Sequence, residues 1–310
     1  MPDVVVTEFM DQAAIDGLAK DFDLVYDRGL HAKPDELARL AAGARALIVR
    51  NQTQVRGALL EAAKKLVVVG RLGVGLDNID LTACKARGIA VRPATGANDD
   101  AVAEWVVACA LILSRRAFHS AAEMTAGRWP REALMGREIG GKTLGLIGYG
   151  AIARATAARA RALGMAVLAH DPHLDPNHFA WTAAGRRELD ALLAESDVVS
   201  LHVPLTAETK GMLGAAQFAR CKPGAILLNA SRGGVLDEAA LAAALKSGRL
   251  GGAALDVYAE EPLKGEAAAR FAGVPNLILT PHIGGVTEEA NARVSAVTAA
   301  NVRAALAGKP

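Results

Sequence analysis

A chain of 310 residues with 52% apolar content is long enough for about two domains, each with a buried core. Its 35 Lys+Arg against 33 Asp+Glu leave a net charge of +2, so no large field of one sign is available for nucleic acid or an anionic membrane. Cys84, Cys109 and Cys221 lie far apart with no C-x-x-C spacing, and they read as reduced core thiols of a cytoplasmic protein without a metal site.

The opening Met1-Pro2-Asp3-Val4-Val5-Val6 carries no basic segment ahead of its apolar run, so it reads as a strand and not as a secretory leader. β-Branched runs at 4–7, 24–26, 46–49, 66–69 and 89–91 alternate with helical stretches such as 34–42 and 54–63. That alternation predicts a first α/β domain with a parallel sheet covered on both faces. The apolar run at 105–113 is far short of the roughly 20 residues a bilayer needs, and it reads as part of a buried helix near 100–113. A polar, Arg-rich stretch at 114–137 follows. Six further strands are predicted at 143–147, 165–169, 197–202, 225–229, 253–257 and 277–280, enough for a second doubly wound sheet. Gly164 closes a helix over 151–163, Asp237 opens one that stops at Gly248, and a last helix runs from 287 to about 307.

Gly148-Tyr149-Gly150-Ala151-Ile152-Ala153 follows an apolar strand and opens a helix, the context a dinucleotide fingerprint requires. Gly148 makes the tight turn, Gly150 admits close approach of a pyrophosphate, and the small Ala153 lets helix and strand pack closely. Asp171 falls 23 positions after Gly148, near the expected interval of about 20. A carboxylate there accepts hydrogen bonds from ribose hydroxyls and repels a 2′-phosphate, so NAD is expected over NADP; the plainer reading is a turn-starting Asp before Pro172. Arg232, Glu261 and His282 each fall near the predicted carboxyl end of a strand, where open parallel sheets bind ligands. Singly, His282 also reads as a strand-end histidine bonded to backbone, Glu261 as a solvated loop acid and Arg232 as a surface cation.

Together with Val69-Gly70-Arg71-Leu72-Gly73-Val74-Gly75-Leu76-Asp77-Asn78-Ile79-Asp80 and His202-Val203-Pro204-Leu205-Thr206-Ala207-Glu208-Thr209, these segments resemble the D-2-hydroxyacid dehydrogenases, most of all their 3-phosphoglycerate dehydrogenase branch. The resemblance spans nearly the whole chain. It implies a Rossmann NAD-binding domain, 98–285, inserted into a flavodoxin-like substrate domain made of 1–97 and 286–310, with the active site in the cleft. It gives Arg232 the substrate carboxylate and carbonyl, makes His282 the acid/base with Glu261 as its partner, and sets Asp256 near the nicotinamide carboxamide. Ala151, Ile152, His202, Pro204, Thr209, Ala230, Ser231, Arg232, His282 and Gly284 would complete the NAD site. The physical logic agrees. Reducing a 2-oxo acid builds negative charge on the carbonyl oxygen, an imidazolium can deliver the proton there, and a carboxylate partner stabilises that imidazolium and fixes its tautomer.

In the family, Gly73 and Val74 would meet the substrate carboxylate through backbone amides, and Asn98 enters the linking helix as a further substrate contact. Relatives acting on phosphoglycerate are similar in carrying arginines at the Arg50 and Arg71 positions. Two planar guanidinium groups suit a second anion, so the expected substrate is a 2-hydroxy or 2-oxo acid with a phosphate or sulfonate on carbon 3, such as 3-phosphoglycerate or sulfolactate. The alternatives are a hydroxypyruvate or glyoxylate reductase, or an NADH-sensing corepressor-like dimer that is not an enzyme. The serine-binding regulatory module of many phosphoglycerate dehydrogenases is not expected after residue 310. The stretch at 114–137, with Trp129, resembles the family's dimerisation arm, so a homodimer is expected.

Overall fold

The computed structural model describes residues 1–116 and 120–308. The chain divides into two compact units, one made of 1–98 and 286–310, the other of 99–285. The first holds β1 (Val4–Val6), α1 (Gln12–Ala19), β2 (Leu24–Tyr26), α2 (Pro34–Ala41), β3 (Ala46–Val49), α3 (Gly57–Ala62), β4 (Val68–Arg71), α4 (Leu81–Ala86) and β5 (Ala90–Pro93). The second holds α5 (Asp99–Arg115), α6 (Ala121–Thr125), β6 (Thr143–Ile147), α7 (Ala151–Ala162), β7 (Ala166–His170), β8 (Gly185–Arg186), α8 (Leu189–Glu195) and β9 (Val198–Leu201). It continues with α9 (Ala215–Arg220), β10 (Ala225–Asn229), α10 (Glu238–Lys246), β11 (Leu250–Leu255), α11 (Gly265–Ala269) and β12 (Leu277–Leu279). The last helix, α12 (Glu288–Leu306), returns to the first unit. No helix among the described residues is long and apolar enough to cross a membrane.

The five-stranded sheet runs β2-β1-β3-β4-β5 and the seven-stranded sheet β12-β11-β10-β9-β6-β7-β8, with every pairing parallel. These are the flavodoxin-like and Rossmann strand orders. Strand residues alternate between two cores. Val4, Val6, Ala46, Ile48 and Val68 face α1 and α12, whereas Val5, Leu47, Val49 and Val69 face α2, α3 and α4. In the second unit Leu144, Leu146, Ile226 and Leu228 lie with α5 and α7, and Ile147, Leu227 and Leu255 lie with α8, α9 and α10. Both faces are covered, which is why these strands read as continuous apolar runs.

The second sheet has seven strands where six were expected. The extra one, β8, is two residues long, too short for any alternation to register in the sequence. β4 lies two residues later than expected because its pairing with β3 continues past Gly70, Val49 standing opposite Arg71. β11 starts three residues early and includes Gly251 and Gly252. A Cβ on Gly252 would come within 2.4 Å of Asn276, so glycine is tolerated in mid-strand to admit a neighbour.

Candidate active site

Gly148, Tyr149 and Gly150 join β6 to α7. Gly148 has φ 87°, and a Cβ there would sit 2.6 Å from the backbone oxygen of His202, so the turn accepts no side chain. Gly150 is the N-cap of α7, makes no side-chain cap and has nothing within 4 Å of where its Cβ would be. The first-turn N–H groups of a twelve-residue helix are therefore left for an anion, with the positive end of the helix dipole behind them. Ala153, Ala157 and Ala160 form the buried stripe of α7. The sheet order reverses between β6 and β9, and Gly148 faces His202 across that switch point. These features fit the pyrophosphate of a dinucleotide.

Asp171 ends β7. Its Oδ2 accepts from Tyr149 N at 2.9 Å, and Oδ1 accepts from His173 N and Leu174 N at 3.0 and 3.1 Å. Three of the roughly four lone-pair sites of the carboxylate are thus already used. Turn formation and proximity to the glycine turn coexist in one residue. His202 Nε2 lies 2.9 Å from Ser200 Oγ, and burial pushes its imidazole down to about 4, so it is neutral at pH 7. Thr209 Oγ1 donates to Pro204 O at 2.6 Å and accepts from Thr206 N, closing the loop that follows β9.

Three ionisable residues, Arg232, Glu261 and His282, stand in the loops after β10, β11 and β12. His282 Nδ1 lies 2.8 Å from Glu261 Oε2, whose other oxygen accepts from Tyr258 N at 3.1 Å. Burial alone would raise the Glu261 pKa. The hydrogen bond and charge of His282, the Tyr258 N–H and the charge of Arg232 outweigh it and hold the carboxyl below its ordinary range. With Nδ1 engaged, Nε2 is the ring nitrogen left to exchange a proton with a ligand. Arg232 Nη1 donates to Ser231 O at 2.6 Å.

Further side chains fix this arrangement. Asn229 Oδ1 accepts from Ser231 N and Oγ, and its Nδ2 donates to Arg232 O, shaping the turn that presents the arginine. A Cβ on Gly233 would come within 1.7 Å of Tyr258 O, so the Arg232 turn and the Glu261 loop touch backbone to backbone. Asp256 is 2% exposed; Oδ1 accepts from Thr280 Oγ1 and Ile283 N at 2.6 and 2.8 Å, and Oδ2 from Gly284 N at 2.7 Å. It therefore grips the chain on both sides of His282. Buried Glu238 does the same for the Glu261 loop, accepting from Ala259 N and pairing with Arg270. The family resemblance singled out Asp256 for the nicotinamide carboxamide and not for this anchoring, and Asn229 was marked only by its place at a strand end.

In the first unit, Arg71 ends β4 opposite Val49, and Arg50 directly follows Val49, so both arginines stand at carboxyl ends of neighbouring strands. Arg50 Nη2 donates to Asn291 Oδ1 at 3.0 Å, and Arg71 Nη1 donates to Leu72 O at 2.7 Å and lies over Gly73. Val74 is half-buried in the following loop, and Asn98 Oδ1 is buried without a hydrogen-bond partner. Among the described residues no group of three His, Cys, Asp or Glu side chains could hold a metal ion.

Residues 107–284 match the family described as D-isomer specific 2-hydroxyacid dehydrogenase, NAD binding domain. The chain is 50% identical to the (S)-sulfolactate dehydrogenase of Chromohalobacter salexigens, with 99% of each chain covered. It is 39% identical to the D-3-phosphoglycerate dehydrogenase of Archaeoglobus fulgidus, over 96% of this chain and 56% of that longer one. The crystal structure of the TT0316 protein from Thermus thermophilus superposes with a TM-score of 0.89 at 37% identity, covering 99% of this chain and 97% of that one. Motif, fold and whole-length likeness agree: the chain belongs to the D-isomer specific 2-hydroxyacid dehydrogenases and is an NAD-dependent enzyme of that family.

Proposed function

We propose that this dehydrogenase acts on a 2-hydroxy or 2-oxo acid whose carbon 3 bears a strong anion, a sulfonate of the sulfolactate type ahead of a phosphate of the 3-phosphoglycerate type. The observation that carries this reading is the pairing of β3 with β4, which sets Arg50 and Arg71 at neighbouring strand ends. Two guanidinium forks offer more donors than one carboxylate can use, and they suit a tetrahedral oxyanion. The 50% identity to a sulfolactate dehydrogenase over the full length supports the sulfonate. Replacing Arg71 with alanine is expected to lower kcat/KM for sulfolactate or 3-phosphoglycerate at least tenfold more than kcat/KM for glycerate. Equal losses on all three, measured by NADH formation, would instead favour a reductase of neutral-tailed acids such as hydroxypyruvate.

In this reading the unit of 99–285 holds NAD and the other unit supplies the substrate's anion site. The first-turn N–H groups at Ala151 and Ile152 hold the pyrophosphate, Asp171 faces the adenosine ribose, and the loops after β9, β10 and β12 shape the nicotinamide end. Bound NAD supplies the hydride acceptor for oxidation and, once reduced, the hydride donor. Arg232 fixes the substrate carboxylate beside the reacting carbon, and His282 Nε2 takes the hydroxyl proton or returns it. Glu261, held ionised, stabilises the imidazolium that results. Because most of the lone pairs of Asp171 are spent on backbone, its remaining contribution is charge. Asp171→Ala is expected to shrink the preference for NADH over NADPH about tenfold in a fluorescence titration; unaltered discrimination would remove Asp171 from the cofactor site.

Exposure of Met124, Trp129 and Met135, at 42%, 72% and 78%, supports a homodimer formed through the stretch at 114–137, of which 117–119 lie outside the described residues. Sedimentation at the mass of one chain would end that part of the proposal. Three free, buried thiols support a cytoplasmic setting, and disulfide-linked forms isolated from cells would contradict it.

A further inference from the structure

The five-stranded sheet has its own switch point, between β1 and β3, where open α/β sheets receive ligands beyond their strand ends. A protein carboxylate occupies the ends of these two strands. Glu8, two residues past β1, is 3% exposed, and its oxygens accept three backbone N–H groups: Arg50 at 2.9 Å and Thr53 at 3.0 Å on Oε1, Gln52 at 3.0 Å on Oε2. Asn78, also buried, donates from Nδ2 to the carbonyls of Arg50 and Thr53 at 3.1 and 2.7 Å. The hydroxyls of Thr7 and Thr53, both buried, lie 2.7 Å apart.

Both backbone polar groups of Arg50 are thus held by buried side chains from two other segments, while α12 holds its guanidinium through Asn291. Sinking an ionised carboxylate costs several kcal/mol unless its lone pairs are met. Burial pushes the Glu8 pKa up, and the N–H groups of Thr53, Gln52 and Arg50 bring it below the ordinary range. The neighbouring strand end needs no such device, since Leu72 N simply donates to Val49 O. The loop at 50–53 differs from the turn after Arg71 in that buried side chains, Glu8 and Asn78, hold its backbone.

We infer that Glu8 is a positioning residue which, with Asn78 and Asn291, pre-sets the Arg50 guanidinium to read the anionic group on carbon 3 of the substrate. The inference rests on the role given to Arg50 above. A free arginine side chain surrenders rotamer entropy when it is immobilised, and a pre-set one has already lost it. Glu8 also places a negative charge near Arg50, and that field by itself works against an anion. The two effects have opposite signs, so an experiment can tell them apart.

The readout is the selectivity ratio, kcat/KM for sulfolactate or 3-phosphoglycerate divided by kcat/KM for glycerate, measured on the full-length enzyme with NAD. Glu8→Gln keeps the size of the side chain but offers one acceptor oxygen where three N–H groups converge, and it is expected to lower the ratio about tenfold. In an Arg50→Ala background the same change should leave the ratio where Arg50→Ala alone puts it, because Glu8 acts through Arg50. A merely structural Glu8 would lower the melting temperature and leave the ratio alone. Asn291→Ala, which touches only the guanidinium, covers the case in which Glu8→Gln does not fold, and it should lower the ratio severalfold. If Arg50→Ala lowers the ratio while neither Glu8→Gln nor Asn291→Ala does, or if Glu8→Gln raises it, the positioning role is overturned and the reading of Arg50 stands. A further fall in the double variant also overturns it. If Arg50→Ala leaves the ratio unchanged, the reading of Arg50 fails and the inference falls with it.

Discussion

Glutamine in place of His282 is expected to lower kcat by about 10²-fold or more while the affinity for NADH, measured by fluorescence titration, stays within about twofold of the parent enzyme. The amide can still reach Glu261 but cannot carry a proton to or from the substrate oxygen. The glycine turn proposed for the pyrophosphate lies elsewhere in the sheet: β6 stands four strands from β12, roughly 19 Å at about 4.8 Å per strand, so that part of the NAD site is insulated from the change. A pH series adds a second check. Glu261 has a folded-state pKa below its ordinary value, so its support for the imidazolium is present above the carboxylate range and lost as pH falls through that lowered value. Glutamine has no carboxyl to titrate, so Glu261→Gln should lower kcat on both sides of that value and abolish this acid-side loss. Near-normal turnover by His282→Gln would leave the reaction without its proposed proton carrier.

Asp256→Ala carries the second large effect, and it acts through the backbone. His282 has φ 57°, a left-handed conformation that costs a non-glycine residue about 1–3 kcal/mol and persists only where its surroundings enforce it. Asp256 supplies that enforcement by accepting from Thr280 on one side and from Ile283 and Gly284 on the other. Removing the carboxylate strands three donors in a buried place, at roughly 1–3 kcal/mol for each that water does not reach. The variant should lose about 3 kcal/mol or more of stability in urea unfolding. At temperatures where it remains folded, kcat should fall at least tenfold, because the imidazole is no longer held against Glu261. Asp256→Asn, with a single acceptor oxygen for three donors, should fall between the two. A folded Asp256→Ala enzyme with full kcat would show that the turn holds itself.

Much of the architecture was legible because it depends on local chemistry. Runs such as Val4 to Val6 and 225–229 are apolar at nearly every position, as two-sided burial demands, and Thr287 and Asp237 mark helix starts by the bonds their side chains accept. The glycine turn and Asp171 were legible because spacing along a β-α-β unit is itself a distance. Arg232, Glu261 and His282 were legible as residues by their strand-end positions, and as a group only through the family resemblance. The Glu8 clamp was not legible at all, since a glutamate after a short strand looks like any surface acid until the loop at 50–53 closes over it.

By itself the sequence determined which segments become strands and helices, where the glycine turn lies and which charged residues stand at strand ends, because periodicity and turn chemistry operate over a few neighbours. Only the tertiary structure decided that Glu261 is within 2.8 Å of His282, that Asp256 anchors the turn that carries His282 and that a buried carboxylate grips the backbone of Arg50. Those contacts join residues 21 to 42 positions apart, and whether they form depends on strand order and on which polar groups burial leaves without water, quantities that no local pattern encodes.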